Sequence, residues 1–145
     1  MIPRFLRPLL IVAPLAALLS ACASDRDKLA QLPSWEPKDE QQLSADQMRK
    51  MVTGNTSKGR MKNGVPYAVY YAPDGLQKVV TAQGFKDVGE WRVNEDGELC
   101  GKWKNIGRSG DETCLQAYRD GDAVRFIGGS TTSPVLFYRG NAANL

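Results

Sequence analysis

Apolar and polar residues alternate along several short segments between residues 55 and 139, as they do in strands that have one buried face. In one segment, Tyr67, Val69 and Tyr71 fall on one face and Ala68 and Tyr70 on the other. Three later segments alternate in the same way. In the first, Trp91 and Val93 fall on one face and Arg92 on the other; in the second, Leu99 and Trp103 fall opposite Cys100, Lys102 and Lys104. In the third, Val124 and Phe126 fall opposite Arg125. This pattern predicts antiparallel strands with one dry and one solvated face.

Turn signals divide this region at intervals of roughly 9 to 14 residues. Asn-Gly and Asp-Gly pairs supply the positive φ that tight hairpin turns need. The candidate turns are Asn63-Gly64, Asp74-Gly75, Gln83-Gly84, Asp96-Gly97, Ser109-Gly110, Asp120-Gly121 and residues 128–133. They separate eight predicted strands, at about 55–62, 65–72, 76–82, 85–94, 98–105, 113–119, 122–128 and 134–139.

The links between these segments are too short for crossover helices, so the predicted strands form an antiparallel meander. Eight such strands either close into a small barrel or fold into a sandwich, and we favour the barrel. Charged residues recur on both faces of several segments, and no outward apolar band of the outer-membrane kind is visible. We therefore expect a mainly β, soluble barrel domain over residues 44–145.

A short helix is predicted immediately before the first strand. Ser44 and Gln47 have the spacing of a capping box, in which each side chain bonds the other residue's backbone N–H. Gly54 is predicted to end this helix. The apolar stripe of this segment consists of Leu43, Gln47, Met48, Met51 and Val52. A helix of about nine residues needs a packing surface to persist.

The first 21 residues have the features of a signal peptide. Arg4 and Arg7 precede an apolar stretch from Leu9 to Leu19, which at 11 residues is too short for a lasting membrane span. The sequence 19–22, Leu-Ser-Ala-Cys, resembles the lipobox of bacterial lipoproteins. The resemblance implies that Cys22 is alkylated with a diacylglycerol and becomes the acylated N-terminus after cleavage.

Ala23 follows this cysteine in place of an aspartate, which in enteric bacteria implies sorting to the outer membrane. We therefore expect a lipid-anchored protein on the periplasmic face of that membrane. Residues 22–43 are polar, contain Pro33 and Pro37, and lack sustained apolar periodicity, so they are predicted to form a flexible tether.

The chain contains no histidine, which excludes Ser-His and Cys-His catalysis and His-ligated metals. Removing Arg4 and Arg7 from the 19 basic residues leaves 17 against 16 acidic residues. Such a balanced charge does not favour nucleic-acid binding. No motif marks a catalytic residue, a metal site or a cofactor, and we expect the protein not to be an enzyme.

Two cysteines, Cys100 and Cys114, remain when the lipidated one is set aside. Because the periplasm is oxidising, a disulfide is the expected state. A redox-active pair is the alternative, but the spacing is not Cys-x-x-Cys and no thioredoxin-like pattern surrounds it.

Several motifs resemble those of small secreted or lipid-anchored alphaproteobacterial proteins whose domain has no assigned function. They are the runs at residues 54–56, 70–75, 89–93, 96–100 and 114–121. The resemblance covers about residues 43–138 and implies a shared fold rather than an activity. Gly89-Glu90-Trp91 also resembles the Gly-x-Trp motif of lipocalins, which supports a calycin-like barrel.

Aromatic residues on the predicted strands carry the remaining functional signal. If they face inward, they either fill a small barrel or line a pocket for one lipid-like or aromatic ligand. The candidate pocket residues are Tyr67, Tyr71, Trp91, Trp103 and Phe126. The sequence thus favours a non-catalytic lipoprotein that acts through protein contacts in the cell envelope, with a calycin-like binder of a small apolar ligand as the alternative.

Overall fold

The computed structural model describes residues 35–107, 110–128 and 134–145. One compact unit, Glu36–Leu145, contains every described strand and helix. The predicted signal peptide, the lipidation site Cys22 and the first part of the tether lie outside the described residues. No helix among the described residues is both long and apolar enough to cross a membrane.

The described chain is mainly β, as predicted, with eight strands and a short α-helix before the first of them. The helix is α1 (Ala45–Val52). The strands are β1 (Thr56–Arg60), β2 (Pro66–Tyr71), β3 (Leu76–Thr81), β4 (Lys86–Val93), β5 (Leu99–Trp103), β6 (Glu112–Asp120), β7 (Ala123–Ile127) and β8 (Leu136–Tyr138). Each lies within about two residues of its predicted position.

All eight strands belong to one antiparallel sheet with the order β7-β6-β5-β4-β3-β2-β1-β8. Neighbours in sequence pair through β7, and β8 returns to pair with β1. Val124 in β7 and Val135, just before β8, exchange two backbone hydrogen bonds of 2.9 and 2.8 Å. This bridge brings the two edges of the sheet together into a nearly closed barrel, which decides between the barrel and the sandwich.

Helix α1 packs against β4 at one end of the barrel, which we call the closed end. The predicted capping box is present: the Ser44 hydroxyl accepts from the Gln47 N–H, and the Gln47 side chain accepts from the Ser44 N–H. Met48 and Val52 are fully buried. A Cβ at Gly97, in the β4–β5 turn, would lie 3.0 Å from the backbone nitrogen of Ala45, so this turn requires glycine to meet the helix.

The last residues of the predicted tether lie on the barrel. A 3-10 helix spans Asp39–Gln41, Gln42 forms a bridge with Tyr118, and Leu43 is buried. Strand β5 pairs with β6 only as far as Leu115, so the backbone of β6 beyond that point needs another partner on this side. The N–H of Leu43 supplies one by donating to the Ala117 carbonyl at 2.8 Å. The ordered domain therefore begins before Ser44.

Inward side chains fill the barrel near the closed end. Tyr71 meets Trp91 edge to face with ring centroids 5.8 Å apart and stacks on Phe137 at 6.3 Å. The buried apolar core consists of Leu43, Met48, Val52, Val69, Tyr71, Val79, Leu99, Ala117, Val124, Phe126 and Val135. The core is packed at the closed end, and five of its members also face the opposite end: Val69, Tyr71, Val79, Leu99 and Phe126.

Candidate ligand-binding cavity

The opposite end of the barrel, which we call the open end, contains a cavity of about 780 Å³. Its exposed lining residues include Lys62 in the β1–β2 turn and Asp111 just before β6. The residues that line it are Met61, Lys62, Asn63, Tyr67, Val69, Tyr71, Gln77, Val79, Leu99, Gly101, Trp103, Ile106, Gly107, Asp111, Thr113, Leu115, Phe126 and Gly128. The volume lies within the range typical of small-molecule sites, about 300–1,000 Å³.

Two inward-facing glycines let the Gln77 side chain lie against the sheet beside this cavity. Gly89 on β4 and Gly101 on β5 share the inner face of the sheet with Trp91 and Trp103, to which they pair across the strands. A side chain at Gly101 would enter space occupied by Gln77. Glycine weakens a strand, and it often marks a position where another group approaches the backbone closely. At Gly101 the approaching group is the side chain of Gln77, which belongs to the cavity wall.

Four of the five predicted pocket residues line the cavity: Tyr67, Tyr71, Trp103 and Phe126. Trp91 is not among the lining residues. It is half-buried towards the closed end, where its indole N–H donates to the Ala72 carbonyl at 2.9 Å. The alternation along β4 correctly places Trp91 on the inner face of the barrel. This inner face extends beyond the cavity towards the closed end, and Trp91 lies in that part.

Sequence reasoning did not single out the polar and aliphatic members of the wall. Gln77 has the same strand parity as the buried Val79, and Thr113 and Leu115 have the same parity as the buried Ala117, so parity was the available signal. Gln77 was overlooked because it stands between Leu76 and Lys78, so its segment lacks a clean apolar alternation.

Gln77 is the most buried polar residue of the wall, with 3% of its surface exposed. It stands opposite Tyr71 across the β2–β3 pair and opposite Gly89 across the β3–β4 pair, at the floor of the cavity. Its Nε2 donates to the backbone carbonyl of Lys102 at 3.3 Å.

Tyr71 joins the cavity floor to the packed core. Burial raises the pKa of its hydroxyl far above the usual range, and the neighbouring Ser57 hydroxyl, 3.4 Å away, offsets only part of that effect. Tyr71 therefore stays neutral and offers the cavity a hydroxyl and a ring, not a charge.

The rim of the open end is held by Asp87. Its carboxylate, 5% exposed, accepts hydrogen bonds from the backbone N–H groups of Val88, Asn105 and Ile106 and from the Asn105 side chain. Burial alone would raise the pKa of Asp87, but these hydrogen bonds outweigh it and lower the pKa below the usual value. The carboxylate thus fixes the segment that carries Ile106 into the cavity wall.

Charged side chains of the described wall are confined to the mouth. Lys62 and Asp111 are both exposed there, and the deeper lining residues are apolar, aromatic, glycine or neutral polar residues. The cavity can therefore hold an uncharged group at its floor, whereas a charge at that depth would lack a counter-ion among the described residues.

The predicted disulfide pair lies on the outer face of the sheet, away from the cavity. Cys100 and Cys114 stand opposite each other on β5 and β6 and are bonded through their sulfur atoms. A carboxylate oxygen of Glu98 lies within 4.8 Å of both sulfur atoms. Because both thiols are consumed in the disulfide, this group offers no thiolate to a metal ion.

No protein-family model matches the chain, and no curated protein matches it with significance. The geometry of the barrel is therefore the basis for any functional conclusion.

Proposed function

We propose that the barrel binds one small, largely apolar molecule in the cavity at its open end. The cavity itself carries this proposal. A volume of about 780 Å³ is enough for a drug-sized or lipid-like molecule, and the walls combine aromatic rings with a few polar groups, as ligand sites do.

The contrast between the two halves of the barrel supports this proposal. The closed half is packed with apolar side chains, including Met48 and Val52, which are fully buried. Eight-stranded barrels are just wide enough to be filled by side chains or to hold one small ligand. In the open half, by contrast, the side chains that line the wall leave about 780 Å³ unfilled.

The sequence-based lipoprotein assignment belongs to the same proposal. In it, Cys22 is acylated and the first part of the predicted tether connects the lipid to the barrel on the periplasmic face of the outer membrane. Two or three acyl chains anchor a protein stably, whereas one chain binds only marginally. The barrel would then present its ligand cavity in the periplasm.

Docking to another envelope protein is a second candidate function. Leu76 on β3 and Val88 on β4 are 46% and 50% exposed and are diagonal neighbours on the outer face, where Val88 pairs with Lys78 and Leu76 pairs with Glu90. Exposed apolar side chains grouped in this way mark protein-contact surfaces more often than isolated ones do. Val88→Glu would abolish a contact made by this face without altering the cavity.

A cavity-blocking variant tests the binding proposal. Thr113 is exposed at the mouth and lines the cavity, so Thr113→Trp places an indole in the entrance with little cost to the core. Lys86→Trp is the matched control, because Lys86 is exposed on the outer face at the same end. We expect isothermal titration with 4-hexylanisole to show binding by the wild type and the control, and a loss of at least about tenfold in Thr113→Trp. Equal affinity in all three proteins would refute binding in the cavity.

A further inference from the structure

Gln77 at the cavity floor has one half of its amide engaged and the other half open to the cavity. Its Nε2 donates to the Lys102 carbonyl. Among the described residues, none donates a hydrogen bond to its Oε1. No buried side-chain oxygen or nitrogen of the described residues lacks a partner, so this oxygen is accessible to solvent. A ligand that fills the cavity would displace water from this oxygen, and an acceptor that is then buried without a donor is costly, so a ligand that supplies a donor gains affinity.

Two glycines and one carbonyl determine which way this amide faces. A Cβ would come within 2.7 Å of the Gln77 Nε2 if placed at Gly101 and within 3.1 Å if placed at Gly89, so the amide nitrogen lies close to both backbones. Turning it over would place Oε1 against the Lys102 carbonyl oxygen, and two acceptors repel each other. The sheet therefore presents Gln77 to the cavity as an acceptor.

The surroundings of this acceptor select against charge. Tyr71 stands opposite Gln77 on β2, Gly89 stands opposite on β4, and the charged wall residues Lys62 and Asp111 are at the mouth. An ionised carboxylate or phosphate at the floor would lose its hydration, find no cation among the described residues and face another acceptor.

We infer that the ligand enters the barrel with a neutral hydrogen-bond donor, a hydroxyl or an N–H, at its leading end and that Gln77 Oε1 accepts this hydrogen bond. The inference rests on the proposed function and specifies its ligand. The remainder of the molecule is apolar or aromatic and contacts the rings of Tyr67, Trp103 and Phe126.

Three matched probes test the donor requirement by isothermal titration of residues 24–145, which contain the whole compact unit. 4-Hexylphenol carries a donor, 4-hexylanisole replaces that hydrogen with a methyl group, and 4-hexylbenzoate carries a charge. The methyl group makes the anisole the more hydrophobic of the first two, so burial alone favours the anisole. We expect the wild type to bind the phenol about three- to tenfold more tightly than the anisole, and the benzoate most weakly.

Gln77→Met removes the acceptor and keeps a side chain of similar length. In this variant we expect the preference for the phenol to fall to about twofold or less, while the anisole binds about as well as it does to the wild type. If Gln77→Met does not fold, the ranking of the three probes by the wild type decides the question.

The outcomes separate this inference from the proposed function. Equal binding of phenol and anisole by the wild type, tighter binding of the benzoate, or an unchanged preference in folded Gln77→Met would overturn the donor requirement. The binding proposal would survive any of these results if Thr113→Trp still lost the anisole. Failure of the wild type to bind either neutral probe would overturn both.

Discussion

At the residue scale, the shape of the open end depends on a buried carboxylate. Asp87 holds Asn105 and Ile106 through hydrogen bonds of 2.9 to 3.0 Å, and Ile106 is part of the cavity wall. Asp87→Asn replaces acceptor capacity with N–H donors that face the same backbone N–H groups. We expect a loss of about 2 kcal/mol or more in the free energy of unfolding, measured by urea denaturation.

Asp122→Asn is the control for this substitution, because Asp122 is exposed in the β6–β7 turn. We expect this control to change the free energy of unfolding by less than about 0.5 kcal/mol. A similar small change in Asp87→Asn would show that the carboxylate does not hold the rim.

The same residue sets a pH dependence. Because the pKa of Asp87 is lowered on folding, its ionised form adds stability above the ordinary aspartate pKa of about 4, and this stability is lost as the pH falls through the lowered value. Thermal denaturation between pH 6 and pH 2.5 should show a smaller acid loss of Tm in Asp87→Asn than in the wild type. Parallel curves would contradict the assignment.

Individual wall residues were predictable only where their chemistry is conspicuous. The aromatic residues Tyr67 and Trp103 stand out in alternating segments. Gln77 on β3 and Gly101 on β5, in contrast, contact each other across β4, which no single segment reveals. Strand parity gives the face of a residue and not its depth along the barrel, which is why Trp91 was grouped with the pocket although it lies towards the closed end.

At the element scale, the capping box determines where α1 begins. Both reciprocal hydrogen bonds between Ser44 and Gln47 are present. We expect Ser44→Ala to lower the free energy of unfolding by about 1 kcal/mol, and Ser44→Asp to restore most of it, because aspartate also caps helices well. Urea denaturation of the three proteins measures both effects. Equal stability of Ser44→Ala and the wild type would show that packing alone positions the helix.

The disulfide joins β5 to β6 next to Leu115, the last residue of β6 that pairs with β5. It closes a loop with a sequence separation of 14 residues, for which chain entropy predicts about 3 kcal/mol of stabilisation. Guanidinium denaturation with and without a reductant should show a difference of that order. Intact protein should also gain no alkyl groups from iodoacetamide before reduction. Gain of two groups without reductant would show that Cys100 and Cys114 are free thiols.

Local signals were sufficient to predict most elements. Gly75 and Gly97 adopt positive φ in the turns predicted for them, and the strands on either side follow directly. Residues 39–43 were predicted to belong to the tether because their polar sequence has no periodicity. Their placement depends on the part of β6 beyond Leu115, which does not pair with β5 and is distant in sequence, so a local pattern does not reveal it.

At the scale of the whole molecule, the barrel is closed by a contact between its last two strands. The Val124–Val135 bridge, together with the pairing of β8 to β1, depends on the tilt that eight strands adopt around a common axis. Alternation and turn spacing are the same in a barrel and in a sandwich, so the sequence favoured the barrel without deciding it. The cavity was less predictable still, since its volume depends on how completely opposing side chains fill the interior.

Native mass spectrometry of residues 24–145, exported to the periplasm and purified without detergent, tests the central claim most directly. We expect a bound molecule at a stoichiometry of one per chain, absent from Thr113→Trp and retained by Lys86→Trp, with organic extraction identifying its class. A wild-type mass equal to that of the chain alone, together with failure to bind 4-hexylanisole, would contradict the account and favour the outer face of β3 and β4 as the functional surface.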